Sequence, residues 1–291
     1  MKAVSILSVI GIVGLVQNYA QAAVPTAIFH GFGDTCIFPG MWEFTDTIAN
    51  LTGAYAHCVE IGYGSVTSIL ENFETQAESA CKSVQENPNF QGEFNVLGLS
   101  QGGLIARHIA ERCVVKGKVR NLVTVGGPNM GVSATPNCFE GYFCNILNFI
   151  VKNLVYFSQI QDLVGPAGYF RDPNHLEEYL DYSVFLPFVN GEKKGNNTEA
   201  VFEKFSTLNS ALFIMFSEDT MIYPKETAWF WQLQADGTVL PVNQTSFYKN
   251  DLIGLRALDE AGKTQYVEFE GNHLQFTNEQ IRDVIAPVLL K

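Results

Sequence analysis

The amino-acid sequence predicts an α/β protein, a mostly parallel sheet with helices on both faces. Two observations carry this expectation. Short apolar runs rich in β-branched and aromatic residues alternate with helically spaced segments over most of the length. The runs are also apolar enough, and bounded tightly enough by Gly, Asp or Asn, to be buried parallel strands. In chain order these are "VPTAIFH" (24–30), "YAHCVEI" (55–61), "FNVLGL" (94–99), "RNLVTVGG" (120–127), "ALFIMFS" (211–217) and "QYVEFE" (265–270). Segments 69–87, 101–113 and 277–290 between and after them carry helical spacing. The rhythm breaks from Asn129 to Asn209, where no strand fits and "NILNFIVKNLVYFSQIQDLVGPAGYF" is helical and aromatic. Segment 129–210 is therefore expected to be a helical insert between sheet strands. By default such a stripe extends the core; over a catalytic site it would be a lid on an apolar groove.

Residues 1–22 stand apart from the fold. One early Lys2, an apolar run from Val4 to Val16 and small residues at Ala20 and Ala22 form a signal peptide cut after Ala22. The run is shorter than the roughly 18 residues a spanning helix needs, and no later segment is expected to span a membrane. The mature chain, 23–291, reads as a single domain in the secretory pathway. Its six cysteines, Cys36, Cys58, Cys81, Cys113, Cys138 and Cys144, suit an oxidising compartment and imply disulfides. Cys138 and Cys144 flank a short loop and are expected to pair locally. With no C-x-x-C or H-E-x-x-H, a metal site is not expected, nor is a cofactor. Sequons at Asn50, Asn196 and Asn243 are open to glycosylation on this route. The formal charge of -12 offers no basic stripe for a nucleic acid.

The chemistry centres on Gly98-Leu99-Ser100-Gln101-Gly102, a G-x-S-x-G preceded by an apolar strand and followed by a helix. A strand-to-helix turn this tight strains the nucleophile's backbone, and the flanking glycines remove side chains that would clash. In that context the motif marks the nucleophile elbow of an α/β-hydrolase. A serine at its ordinary pKa needs a base, and the base an orienting acid, in the chain order Ser, acid, His. Of His30, His57, His108, His175 and His273, only the last two lie beyond a usable acid, and His175 falls in the helical insert. His273, just past the last strand in "EFEGNHLQF", is the expected base; His108 is expected to pack within its helix. The strand 211–217 drops Glu218 and Asp219 onto its following loop. Asp219 is preferred, Glu218 competes with it, and Asp236 and Asp251 read as surface charges. "IFHGFGD" closes the first strand with a glycine-flanked loop, so the backbone N–H of Phe32 is the expected oxyanion donor beside that of Gln101.

With these residues assembled, the chain resembles the palmitoyl-protein thioesterases, most of all the lysosomal type 1 members, from Val24 nearly to Leu290. The likeness rests on "HGFGD", "CVEIG", "LGLSQGG", "VTVGGPNMGV", "YFRDP", "SVFLPFVNGE", "FSEDTMIYPKETAWF", "DLIGLRALDEAGK" and "GNHLQF". The resemblance implies a Ser100, Asp219 and His273 triad, Phe32 and Gln101 at the oxyanion hole, and an acyl-chain pocket built from 129–210. It also implies pairing of Cys81 with Cys113 and of Cys138 with Cys144. Two departures stand out. Phe32 occupies a position where the family often has Met, and the adjacent cysteines after the oxyanion loop are reduced to Cys36, whose expected partner is Cys58.

The function expected is hydrolysis of long-chain fatty-acyl thioesters on S-acylated proteins or peptides, in the lysosome or after secretion. A lipase or carboxylesterase acting on oxygen esters is the alternative, since the triad chemistry is the same; an inactive lipid-binding relative is the other. Phe143, Ile146, Leu147, Phe149, Ile150, Leu154, Phe157 and Ile160 are the candidates, in part, for the apolar trough.

Overall fold

The computed structural model describes residues 23–135, 151–194 and 198–291. Residues 1–22, the expected signal peptide, together with Cys138 and Cys144, Asn196, and Phe143, Ile146, Leu147, Phe149 and Ile150, lie outside the described residues. Six strands form one sheet: β1 (Thr26–Phe29), β2 (Ala56–Cys58), β3 (Glu93–Leu99), β4 (Lys118–Val125), β5 (Ser210–Phe216) and, after a small hairpin, β8 (Thr264–Phe269). Their order is β2-β1-β3-β4-β5-β8, and every pairing is parallel. The hairpin itself, β6 (Gln232–Leu233) with β7 (Val239–Leu240), is antiparallel and was not among the elements expected.

Because successive residues of a strand face opposite sides, the sheet serves two cores. Ala27, Val96, Leu122 and Ala211 face one, whereas their neighbours Ile28, Leu97, Val123 and Leu212 face the other. The second core is closed by α1 (Pro39–Thr52), through Met41, Phe44 and Ile48, and by the C-terminal helix, through Ile281, Ile285 and Val288. Helix α1 has no counterpart among the expected elements. The first core is covered by α3 (Phe73–Glu86) and α4 (Gln101–Glu111), with the described part of the segment between β4 and β5 packed beyond them. That part is helical, with Ser158–Leu163, Leu176–Tyr182, Leu186–Val189 and Thr198–Ser206. The single helix expected over 69–87 is in fact two. α2 (Ser65–Leu70) ends at Glu71, and the Asn72 side chain starts α3 by accepting from the Thr75 N–H at 3.2 Å. An Asn at this position satisfies an orphan donor of the new helix and so favours a break over continuation.

Every residue of α4 is buried, charged ones included, and each buried charge has a partner. Arg107 donates to Glu111 Oε1 at 2.8 Å and to the Asn129 carbonyl at 2.8 Å, with its guanidinium 4.8 Å above the Phe230 ring. His108 packs as expected, 3.3 Å from Glu78 on α3. Two disulfides are present: Cys81–Cys113 ties α3 to the end of α4, and Cys36–Cys58 ties the segment after β1 to the end of β2. The sheet order, the elbow after its central strand and the helical layers on both faces are those of the α/β-hydrolase fold. Among the described residues, no helix is long and apolar enough to cross a membrane.

Candidate active site

Parallel strands deliver all their carboxyl ends to one rim. The chain passes from β1 outward to β2, then crosses to the other side of β1 to lay down β3. A crevice opens at such a switch point, and the loop after β1 meets the turn after β3 across it. A Cβ placed on Gly31 would stand 3.2 Å from the Ser100 Cβ.

The turn after β3 is as tight as the motif requires. Ser100 has φ 53° and ψ −125°, a conformation that costs a non-glycine residue about 1–3 kcal/mol. A Cβ on Gly98 would lie 2.1 Å from the Gly102 carbonyl oxygen, and one on Gly102 would lie 2.3 Å from that of Phe29. Strand, serine and helix therefore approach each other through two positions that admit no side chain. The backbone N–H of Gln101 opens α4 as one of the first-turn donors that have no intrahelical acceptor. Its side chain is pinned away from the crevice. Gln101 Nε2 donates to the Ser68 carbonyl at 3.1 Å and Gln76 Oε1 at 3.2 Å, and Oε1 accepts from the Tyr169 hydroxyl at 2.8 Å. Burial pushes the Tyr169 phenol well above its ordinary value, which keeps it a donor.

Residues 219 and 273 arrive from the ends of β5 and β8, beyond β4 in the sheet. The loop after β8 carries His273 to within 2.8 Å of Ser100 Oγ through Nε2, and its Nδ1 stands 2.6 Å from Asp219 Oδ2. A carboxylate only accepts, so Nδ1 carries the proton and Nε2 accepts from the serine hydroxyl. Asp219 Oδ1 meanwhile accepts from the Met221 and Ile222 N–H groups at 2.8 and 2.9 Å, which fixes the carboxylate plane. Glu218, its competitor in the sequence, is exposed to solvent on the same loop. The other histidines lie elsewhere: His175 Nδ1 faces Asp172 at 3.0 Å, and buried His30 stands 3.0 Å from Glu60. Asp236 is an exposed turn residue, but Asp251 is more than a surface charge, since it accepts from the Arg256 and Ala257 N–H groups and starts the helix Leu255–Glu260.

Three positioning residues escaped the sequence reading. Asn272 Oδ1 accepts from the N–H groups of both His273 and Thr220, at 2.6 and 2.9 Å, and so ties the His loop to the Asp loop. Gly126, with φ 61°, leaves room for the imidazole: a Cβ there would lie 3.1 Å from His273 Cε1. Leu274 takes φ 58°, a sharp bend next to the imidazole-bearing residue. The glycine pair in "VTVGGPN" was the available signal for the second; nothing local marks the other two.

Across the crevice, the Asp34 N–H donates to the Gly31 carbonyl at 3.3 Å, closing a turn in which Gly33 takes φ 71°. Positive φ at the third position is what a type II turn demands. The Gly33 N–H donates to Ser68 Oγ at 2.9 Å, and Glu60 Oε2 accepts from Thr35 Oγ1 at 2.5 Å and from the Cys36 N–H at 2.9 Å. The loop bearing Phe32 is held from below on both sides. Phe32 and Ser100 both line a cavity of about 350 Å³. Its remaining walls are almost wholly apolar and come largely from the segment between β4 and β5, among them Val132, Leu154, Ile160 and Phe170. Leu154 and Ile160 thus lie where the sequence put them. Phe157 does not: its side chain is 56% exposed and lines a separate hollow with Tyr156 and His175.

Comparison with known proteins follows the same lines. The family model described as palmitoyl protein thioesterase matches residues 25–273. Palmitoyl-protein thioesterase 1 of Caenorhabditis elegans is 33% identical over 267 residues, 88% of each chain. Palmitoyl-protein thioesterase 3 of Dictyostelium discoideum is 32% identical over 263 residues, 88% of this chain and 87% of that one. The lysosomal thioesterase PPT2 homolog of Drosophila melanogaster is 30% identical over 231 residues, covering 76% and 77%. With a hydrolase sheet, a strained serine beside an imidazole and an apolar cavity already in hand, this breadth of likeness has one meaning: the chain belongs to the palmitoyl protein thioesterase family and is a thioester hydrolase.

Proposed function

We propose that the protein removes long-chain fatty-acyl groups from cysteine residues of S-acylated proteins or peptides, with Ser100, His273 and Asp219 as its catalytic triad. The observation that carries this reading is His273 spanning Ser100 and Asp219 at the mouth of an apolar cavity. In the first half-reaction Ser100 Oγ attacks the thioester carbonyl carbon while Nε2 takes the hydroxyl proton. The imidazolium is steadied by Asp219. Charge on the carbonyl oxygen is met by the N–H groups of Phe32 and Gln101, each such donor supporting about 3 kcal/mol of transition-state stabilisation. The C–S bond breaks, the thiolate takes the proton from Nε2, and the acyl group stays on Ser100. Water, deprotonated by the same nitrogen, then releases the fatty acid and restores the serine.

The cavity supports an acyl chain as the bound group. Each buried methylene contributes about 0.8 kcal/mol, so kcat/KM rises with chain length until the cavity is full. A secretory-pathway location, lysosomal or extracellular, is supported by the two disulfides and by relatives that are themselves named lysosomal thioesterases. The test compares a palmitoyl-cysteine peptide with a matched palmitoyl oxygen ester. The thioester is expected to turn over faster, and Ser100→Ala to abolish both activities with the fold intact. Preference for the oxygen ester would make the enzyme a carboxylesterase, and activity surviving in Ser100→Ala would remove the triad.

A further inference from the structure

The rim around the cavity is the part of the molecule least explained by folding alone. Parallel strands put the segments after β1 and β2 on the same edge as Ser100. After β1, Ile37 is 83% exposed and Trp42 62%; after β2, Tyr63 is 89% exposed and Leu70 63%. Helix α2 buries Thr67 and Ser68 and turns Val66 and Leu70, four residues apart on one face, to solvent. Phe38 and Trp42, also four apart, do the same at the start of α1. An outward face of this kind normally carries polar residues.

The two apolar groups belong to segments that are stitched together at the rim. The Cys36–Cys58 disulfide, the Thr35 and Cys36 bonds to Glu60 and the Gly33 bond to Ser68 all join the segment after β1 to the segment after β2. The Phe32 loop lies among these ties, and Phe32 both lines the cavity and is exposed at its mouth, as Leu154 is on the other side. Phe32 thus joins the apolar cavity to the loop that leads into the exposed apolar residues.

We infer that this rim docks on the surface of a zwitterionic lipid bilayer, with Trp42, Val66 and Leu70 entering the headgroup region. The inference rests on the proposed substrate, since a long acyl chain attached to a protein resides in lipid and can pass into the cavity without crossing water only if the cavity opens against the membrane. Charge selects the occupant. From Ala23 to Cys81 there is no Lys or Arg, while Asp34, Glu43, Asp46 and Glu71 fall in the same stretch, so anionic lipid is repelled. A second copy of a chain with formal charge -12 is repelled for the same reason. Aromatic side chains such as Trp42 and Tyr63 are suited to the interface between headgroups and acyl chains. Asn50, an expected glycan site, sits about 12 Å further along α1 from Trp42, toward the end of the helix remote from the rim.

The test uses the full mature chain carrying Ser100→Ala, so that binding is read without turnover, and phosphatidylcholine vesicles. Flotation with the vesicles is expected, with quenching of Trp42 fluorescence by brominated lipid and weaker binding when phosphatidylserine is added. Combining Trp42→Ser, Val66→Ser and Leu70→Ser is expected to lower the partition coefficient about tenfold or more. Without Ser100→Ala, the same triple variant should retain wild-type kcat/KM on a short, water-soluble acyl thioester, which also reports its folding. No flotation, equal flotation of the triple variant, or a wild-type dimer dissociated by these substitutions would each overturn docking. Absence of thioester turnover by the unsubstituted chain would instead overturn the proposed reaction, so the two failures are separable.

Discussion

Ser100 holds its hydroxyl toward His273 only because its backbone is forced to φ 53°. Glycine adopts that conformation freely, so Ser100→Gly is expected to relieve the strain and raise stability by about 1 kcal/mol, after the larger chain entropy of the unfolded glycine is deducted. Denaturant midpoints check this, and activity is lost in the same variant. Asp219 works through the imidazole: its two oxygens are divided between the Nδ1 proton and two backbone N–H groups. In Asp219→Asn the amide can present N–H to Nδ1 and favour the wrong tautomer, so kcat is expected to fall about 10⁴-fold with little change in KM. Steady-state kinetics on one palmitoyl thioester decide it. The identity of the acid shows how far local sequence reaches. Glu218 and Asp219 are equivalent by position after β5, and only the direction of the loop, set by Asn272 joining it to the His273 loop, separates them.

At the scale of the elements, the cavity walls would set the length of the acyl chain proposed as substrate. Val132, Ala134 and Leu154 enclose the cavity from the segment between β4 and β5, while Ser100 at the elbow, Phe32 and the loop residues Met221 and Ile222 complete its lining. Ala134 is the small wall residue to enlarge. Ala134→Phe is expected to exclude the end of a long chain, at about 0.8 kcal/mol or roughly fourfold in kcat/KM for each methylene shut out, leaving short-chain thioesters unaffected. A series of acyl chain lengths on wild type and variant measures this directly. The same segment shows the limit of pattern reading. Its apolar residues are so frequent that Phe157, which faces solvent, and Ile160, which lines the cavity, are indistinguishable by composition. Helix α1 was hidden for a related reason: Phe38 and Trp42 on its outer side blur the 3.6-residue period that marks an amphipathic helix.

At the scale of the whole molecule, pH acts through buried charge. Glu111 lies fully inside, and burial pushes its carboxyl from 4.5 up to about 7, against the opposing pull of Arg107. Between pH 4.5 and about 7 the native state therefore keeps a proton that the unfolded chain has released. The contribution to stability is complete below this window, falls as pH rises through it, and is flat above. Glu111→Gln removes the titration, so wild-type stability measured relative to this variant is expected to decline across that window. Urea unfolding at a series of pH values tests the sign, and an increase with pH would refute it. A fold that loses nothing from this group on acidification would suit the lysosome, one of the two locations proposed.

The sequence by itself determined the six parallel strands, the elbow at Ser100 and the chain order of Ser100, Asp219 and His273, and, through family likeness, the Cys81–Cys113 pairing; Cys36–Cys58 was expected only because Cys36 lacks the neighbouring cysteine of the family pattern. These are properties that neighbouring residues or an ordered series of motifs can carry: apolar runs, glycines where backbones touch, a serine between strand and helix. Tertiary structure decided what depends on residues far apart in the chain. It turned Asp219 rather than Glu218 inward, used Asn272 and Gly126 to seat the imidazole, chose which apolar side chains line the cavity, and gathered the loops after β1 and β2 into one exposed apolar rim. No local pattern records these choices, because each is set by the direction a loop takes after leaving the sheet.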